Sequence, residues 1–543
     1  MNSTLWNRFE TNAIRHPHKA ALIYFQKGDW KTVTYTQLLD SAQRFASGLL
    51  ACHLTPGMRA ALMTPASADF FAFTFALLKL GIVPVLVDPA IGLKKVSECF
   101  KESQPDIFIG NTLTHSLRKV FGWGKETIKH NLTIEQVKRQ KSNVEDFIHP
   151  SREAFIVQNS SPAAIIYTSG STGSPKGVLY TQANFAAQMD MLANTFEIAP
   201  DEIDLPAFPL YALIDTLLGV TSVIPDITFP VPGKTNPKKV IHAIQKFNVT
   251  NMFASPVVLD ILVNSQPQPA QFQKLHSLKR VITAGAPATI QLQENFRRLL
   301  SDETNLFGTY GATESLPIAK IESREIFEVK NKSAQGAGVC LGRPVTGAEV
   351  RIIKISDTAI ETWQADLEVK SNVVGEITVK GAAVTESYIA REEATRLAKI
   401  KDGDDIIHRL GDVGYFDEQG RLWYCGRKAQ RVTTIDDVLF TEQIEGIFNI
   451  HPLVCRSALV GVEHEPVLWI ELKQNSKNAD KEKIKHELTE LAKEHPQASN
   501  IKEFLFMKKF PTDVRHNSKI IREELVKYAV RRLRNSRRAL ILL

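Results

Sequence analysis

The chain has 543 residues, more than a single hydrophobic core organises, so two or more domains are expected. Its 43% hydrophobic and 23% charged content excludes a disordered chain. A net charge of +7, from 66 basic and 59 acidic residues spread along the length, is too thin to imply a nucleic-acid partner. Five cysteines (Cys52, Cys99, Cys340, Cys425, Cys455) lie far apart, without a CxxC pair or metal-ligand spacing, which suits a reducing cytoplasm. The opening "MNSTLWNRFETNAIRHPHK" lacks the basic start and apolar run of a signal peptide.

In chain order, "KAALIYF", "RAALMTP", "VPVLVD" and "DIFIGN" read as strands, and "TQLLDSAQRFASGLLACH" and "ADFFAFTFALLKL" as helices between them. Such alternation predicts an α/β fold with a largely parallel sheet. The most apolar region, "FFAFTFALLKLGIVPVLVDPA", is broken by Lys79, Gly81 and Pro84, so it reads as a buried helix and strand and not a membrane span. Farther on, "KRVITAGAP" and "TNLFGTYGATE" each look like a strand entering a glycine-containing turn, where ligands gather in open α/β sheets. After about residue 340, "GEITVKG", "GDVGYFDEQG" and "GRLWYCGRK" suggest a small β-rich subdomain. A third unit begins near Ala429 and contains "KEKIKHELTELAKEH", a solvated surface helix by its pattern. With no low-complexity linker, the boundary near residue 428 reads as a hinge.

The stretch "YTSGSTGSPKG", Tyr167 to Gly177, carries the chemistry. Small residues let backbone N–H groups approach an anion, hydroxyls add donors, and a lysine reaches the same charge, so phosphate is the natural guest. The spacing is not that of a Walker loop, because Pro175 precedes Lys176 and Gly177 follows it. A generic Ser/Gly run also suits a plain surface turn; the full string resembles the phosphate loop of the adenylate-forming superfamily. In the same order, "TAGAP" (Thr283 to Pro287) resembles its adenine-contacting turn and "TYGATE" (Thr309 to Glu314) its adenine-stacking segment. "GDVGYFDEQGRLWYCGR" (Gly411 to Arg427) and "NSKIIREEL" (Asn517 to Leu525) resemble its ribose-binding and C-terminal lysine motifs.

That resemblance implies a large N-terminal adenylation domain, residues 1–427, of α/β subdomains plus a small β-rich one. A small mobile α+β domain, residues 428–543, would follow and carry the catalytic lysine. It implies ATP and Mg²⁺. Thr168, Ser169, Gly170, Ser171, Thr172, Gly173 and Lys176 would hold the β- and γ-phosphates. Gly285, Ala286 and Pro287 would contact adenine, and Tyr310, with Gly311 and Ala312 beside it, would stack on it. Thr313 would contact the α-phosphate, Glu314 would carry the metal, and Asp412 would bind the ribose hydroxyls with Arg427 nearby. Lys519 would swing in to bridge the carboxylate and the α-phosphate.

Three departures separate the chain from the acyl-CoA ligases of that superfamily. Ala212 in "FPLYALID" stands where ligases carry histidine. "GRKAQRVTTIDDVLF" places Ala429, Thr433 and Asp436 where an acid, a lysine and a glycine shape the pantetheine tunnel. The last motif reads "FPTDVRHNSKIIREEL". An aspartate does not tolerate the close backbone approach that a glycine does, and its charge repels CoA phosphates. These features are similar to the bacterial olefin-pathway β-lactone synthetases. The resemblance then implies a long-chain β-hydroxy acid, activated as acyl-AMP and closed by its own hydroxyl to a β-lactone, with other enzymes of a hydrocarbon-forming pathway as possible partners. An acyl-CoA or acyl-carrier ligase is the alternative, and a degenerate nucleotide-binding partner protein a third reading, which Lys519, Glu314 and the phosphate loop oppose.

Apolar linings for the alkyl arms are expected in "FPLYALIDTLLGVTSVIP" and "NMFASPVVLDIL", although ordinary core accounts equally for either. His516 and Tyr211 are the candidates for the base that takes the hydroxyl proton; His408 stays open between site and packing. The tail "YAVRRLRNSRRALILL" reads as a solvated C-terminal helix, or else as a peripheral contact with an acidic membrane or a partner.

Overall fold

The computed structural model describes residues 4–139, 157–168, 175–226, 232–265, 274–476, 479–512 and 520–541. The predicted helices and strands of the first hundred residues form as expected. Thr34 begins the helix Tyr35–Ala51 with a capping box closed by Gln37, and Ser67 caps Ala68–Lys79 through the Phe70 amide. Residues Phe70 to Leu78 of that second helix are all buried, so it is a core helix. Phe75 stacks on Phe9 with ring centroids 3.9 Å apart. Burying each such phenylalanine contributes roughly 1.5–3 kcal/mol.

Two sheets organise the larger part of the chain. The first has six strands in the order His130–Leu132, Ile107–Gly110, Arg59–Met63, Val83–Leu86, Pro162–Thr168 and Lys176–Thr181. Every pair in it is parallel except the last, an antiparallel hairpin in which Thr168 is registered with Lys176. Residues 169–174, which hold most of the expected phosphate-binding string, lie outside the described residues.

The second sheet has fourteen strands. Its parallel half runs Asn305–Ala312, Arg280–Thr283, Asn251–Ala254, Ile203–Pro206, Thr221–Ile224 and Ala20–Gln26. Ala20–Gln26 therefore leaves its sequence neighbours and pairs Ile23 with Val223. The expected β-rich subdomain is not separate in its hydrogen bonding. Ser315–Glu322 pairs with both Asn305–Ala312 and Val339–Pro344, which joins Leu422–Arg427 and Asp405–Phe416, so the ladder is continuous from one half to the other.

Residues from Val432 onward build cores of their own, one around Ile444, Phe448, Leu468 and Leu488 and one around Trp469, Leu525 and Ala529. Lys481–Glu494 is the expected surface helix and buries only Ile484, Leu488 and Ala492. Arg522–Ile541 forms the C-terminal helix. Among the described residues, no helix is long and apolar enough to cross a membrane.

Candidate active site

One side of the candidate site is built at the carboxyl ends of two neighbouring parallel strands. Thr283 is registered with Gly308, which places the turn after Arg280–Thr283 beside Tyr310. Gly285, followed by Ala286 and Pro287, has φ +90°, a conformation that side chains resist and glycine accepts. Gly311 and Ala312 end the next strand. The hydroxyls of Thr283 and Thr309 are buried without a partner among the described residues, an unfilled polar edge where a ligand with donors and acceptors would fit.

Tyr310 donates from its hydroxyl to Oδ2 of Asp412 at 2.6 Å, and Arg427 pairs with Oδ1 at 2.8 Å. Tyr310, Asp412 and Arg427 thus form one connected group. Burial opposes the charge of Arg427, but Asp412 outweighs it and holds the guanidinium pKa above its ordinary value. Burial, then the charge of Asp412, pushes the Tyr310 phenol far up.

The other side of the candidate site is built differently. Lys176 starts the last strand of the six-stranded sheet, and Glu314 follows the turn at the end of Asn305–Ala312 in the other sheet. Tyr388 donates to Oε1 of Glu314 at 2.5 Å, and Nζ of Lys176 lies 4.8 Å from the centroid of the same phenol ring. Burial lowers the Lys176 pKa, and Glu314 resists that shift. Tyr180 donates to the carbonyl of Thr313 and so ties the sheets together a second time. Behind Glu314 lies Lys399, almost fully buried, with Nζ donating to the carbonyl of Thr385. Burial brings its pKa down to about 7 against the pull of Glu314 and Glu386. His408, which the sequence left open, is buried with Nδ1 3.1 Å from the carbonyl of Ala398; burial and the nearby Lys399 keep it neutral.

Lys519 and His516 lie outside the described residues. On either side of residues 513–519, Thr512 bridges Ile520 and the amide of Ile521 donates to the carbonyl of Pro511. Arg522, just beyond, pairs with Glu445 at 2.6 Å and reaches Gln430. Tyr211 stacks on Phe253 with centroids 3.8 Å apart, which brings the two expected apolar linings together. Ala212 is fully buried in the core. Thr433 and Asp436 lie exposed on the hairpin of Val432–Thr433 and Val438–Leu439, with Ala429 exposed before it.

The sequence reading missed Tyr180, Tyr388 and Lys399. Period-two alternation in "KGVLYT" places Tyr180 on the same strand face as Lys176, a signal that was available. Tyr388 and Lys399 belong to none of the quoted motifs.

The AMP-binding enzyme family model matches residues 9–389. An olefin beta-lactone synthetase of Xanthomonas campestris is 39% identical over 518 residues, 92% of this chain and 91% of that protein. The olefin beta-lactone synthetase of Stenotrophomonas maltophilia is 39% identical with the same coverage. Among solved structures, O-succinylbenzoate coenzyme A synthetase from Bacillus subtilis in complex with AMP has a TM-score of 0.75 at 22% identity, covering 96% of this chain and 98% of that one. The amide bond synthetase McbA from Marinactinospora thermotolerans has a TM-score of 0.77 at 18% identity, covering 96% and 99%. These likenesses show the fold, a large N-terminal domain followed by a small C-terminal one. By its sequence match and its architecture, the chain belongs to the AMP-binding enzyme family.

Proposed function

We propose that this protein is an ATP-dependent synthetase that activates a long-chain β-hydroxy acid as its acyl-adenylate and closes it to a β-lactone, releasing AMP and pyrophosphate. The observation that carries this reading is the 39% identity over 92% of the chain to two olefin beta-lactone synthetases. The departures at Ala429, Thr433 and Asp436 support it over the CoA ligase reading, since no thiol substrate is required. Five free cysteines agree with a reducing cytoplasm.

The first step joins a carboxylate oxygen to the α-phosphorus as the bond to the β-phosphate oxygen breaks. Negative charge gathers there, and prepositioned cations and donors stabilise it. In this reading Asp412 and Tyr310 orient the adenosine and Thr313 meets the α-phosphate. Lys176 and the loop from Thr168 take the outer phosphates. Lys519 travels with residues 428–543 and neutralises the α-phosphate and carboxylate together. Glu314 fits a magnesium ion that arrives with the nucleotide: Mg²⁺ takes one or two carboxylates and completes its shell with phosphates and water. When bound, the ion would screen the phosphate charge. In the second step the β-hydroxyl oxygen attacks the acyl carbon, the bond to AMP breaks, and the hydroxyl proton passes to water. An internal nucleophile held at the carbonyl gains a large effective concentration, which offsets ring strain.

The test incubates purified protein with ATP, Mg²⁺ and a β-hydroxy fatty acid, with and without CoA, and follows products by NMR and mass spectrometry. Lactone and AMP without CoA are expected. Product that requires CoA assigns a ligase instead, and no ATP turnover overturns both.

A further inference from the structure

The segment from Thr385 to Arg391 runs between the two sheets and touches both sides of the phosphate site. At one end the Thr385 amide donates to the carbonyl of Glu314 at 2.9 Å. At the other, the Ile389 amide donates to Gly177 at 2.8 Å, and Arg391 reaches the carbonyl of Pro175 at 3.1 Å while paired with Glu102. Between them Tyr388 forms an antiparallel bridge with Val178. The approach is close: a Cβ on Gly177 would stand 2.5 Å from Cγ2 of Ile389, so only glycine fits there without displacement.

Tyr388 is the middle of this strap and is 6% exposed. One face of its ring meets the Lys176 ammonium, and its hydroxyl holds the Glu314 carboxylate. An ammonium and a carboxylate on flexible stems attract one another, and a direct pair would consume the charges that ATP and its metal need. The phenol holds each of them through a contact of its own, Lys176 at the ring and Glu314 at the hydroxyl. It also removes rotamer freedom from both side chains before ligand arrives, which is the form of preorganisation that strengthens electrostatic stabilisation.

We propose that Tyr388 is a positioning residue for nucleotide activation: its ring seats Lys176 and its hydroxyl aims Glu314, setting the separation at which Mg²⁺ and the ATP phosphates are received. This deepens the functional reading above and rests on it.

The experiment measures equilibrium binding of ATP by titration calorimetry, with and without Mg²⁺, alongside ATP–pyrophosphate exchange. Tyr388→Phe keeps the ring and loses the hydroxyl. Its Mg²⁺-free ATP affinity should stay within about twofold of wild type, and the gain in affinity on adding Mg²⁺ should fall roughly tenfold. Tyr388→Leu loses both contacts and should also weaken Mg²⁺-free binding. On a Glu314→Gln background, Tyr388→Phe should have no further effect on the Mg²⁺ gain, an outcome that a merely structural role does not produce. If Tyr388→Phe gains from Mg²⁺ as wild type does, the inference is overturned alone. If wild type binds no ATP in either arm, the functional reading falls and takes the inference with it.

Discussion

Glu376 offers a perturbation whose size follows from its surroundings. Its carboxylate is 1% exposed and receives two cations, Arg409 at 2.7 Å and Lys428 at 3.0 Å. Arg409 has other acceptors, the carbonyls of Thr358, Leu397 and Ser356, and Lys428 also donates to Ser356. Glu376→Gln therefore leaves the cations hydrogen-bonded while removing the carboxylate that pairs directly with both. Removing one partner of a buried pair costs about 3–5 kcal/mol. The remaining carbonyls and the glutamine oxygen place this variant near the lower end, about 3 kcal/mol. Lys428 directly follows Arg427, which holds Asp412, so release of the lysine should also loosen the Arg427–Asp412 pair. The assay is urea unfolding followed by tryptophan fluorescence, paired with ATP affinity by calorimetry. Lys428→Met in the same chain should return about 1 kcal/mol by removing one stranded charge. A single variant within 1 kcal/mol of wild type, with unchanged ATP affinity, would refute the electrostatic account of this junction.

Lys519→Ala should reduce adenylation by about 10²–10³ while ATP binding stays nearly unchanged, measured by pyrophosphate exchange against calorimetry; undiminished exchange would remove the lysine from the mechanism. Asp412→Asn weakens the charged acceptor shared by Tyr310 and Arg427 and should lower ATP affinity by about 1.5–3 kcal/mol, read by titration. Asp215, on the helix Tyr211–Leu218, and Asp204, on the strand Ile203–Pro206, form a buried pair. Burial raises the Asp215 pKa to about 7, and burial with the charge of Asp215 raises Asp204 further. Because the folded state holds protons that the unfolded chain releases, the pair's contribution to stability is full below about pH 4 and is lost as pH rises toward 7. Asp215→Asn should flatten the change of melting temperature between pH 5 and 7.5 relative to wild type; parallel profiles would count against the pair.

Much of the N-terminal fold was legible because local pattern and burial agree there. "ADFFAFTFALLKL" is apolar all round and is a core helix, while "VPVLVD" is buried on both faces as a parallel strand requires. The turn at Gly285 and the strand end at Ala312 were legible because glycines mark them. Sheet membership was not. Ile23 pairs with Val223 two hundred positions away, and nothing in "KAALIYF" encodes that partner. The joining of the β-rich strands to the α/β sheet was hidden for the same reason, since Ser315–Glu322 pairs on both of its edges. Within the site, Lys176, Glu314, Tyr310 and Asp412 were found through motifs, and the structure brings them into two groups. Tyr388 escaped because its importance comes from what crosses above and below it, which no spacing along the chain records.

The two ends of a bound nucleotide would be met by parts that share no backbone ladder. Tyr310 and Asp412 are set in one sheet and Lys176 in the other, so the triphosphate would act as a gauge laid across a seam. A small slide of one sheet past its neighbour would leave adenosine recognition intact and misalign the outer phosphates. Distant packing changes along that seam would then tune turnover separately from nucleotide affinity, giving the protein a way to adjust its speed without rebuilding the pocket that recognises the base.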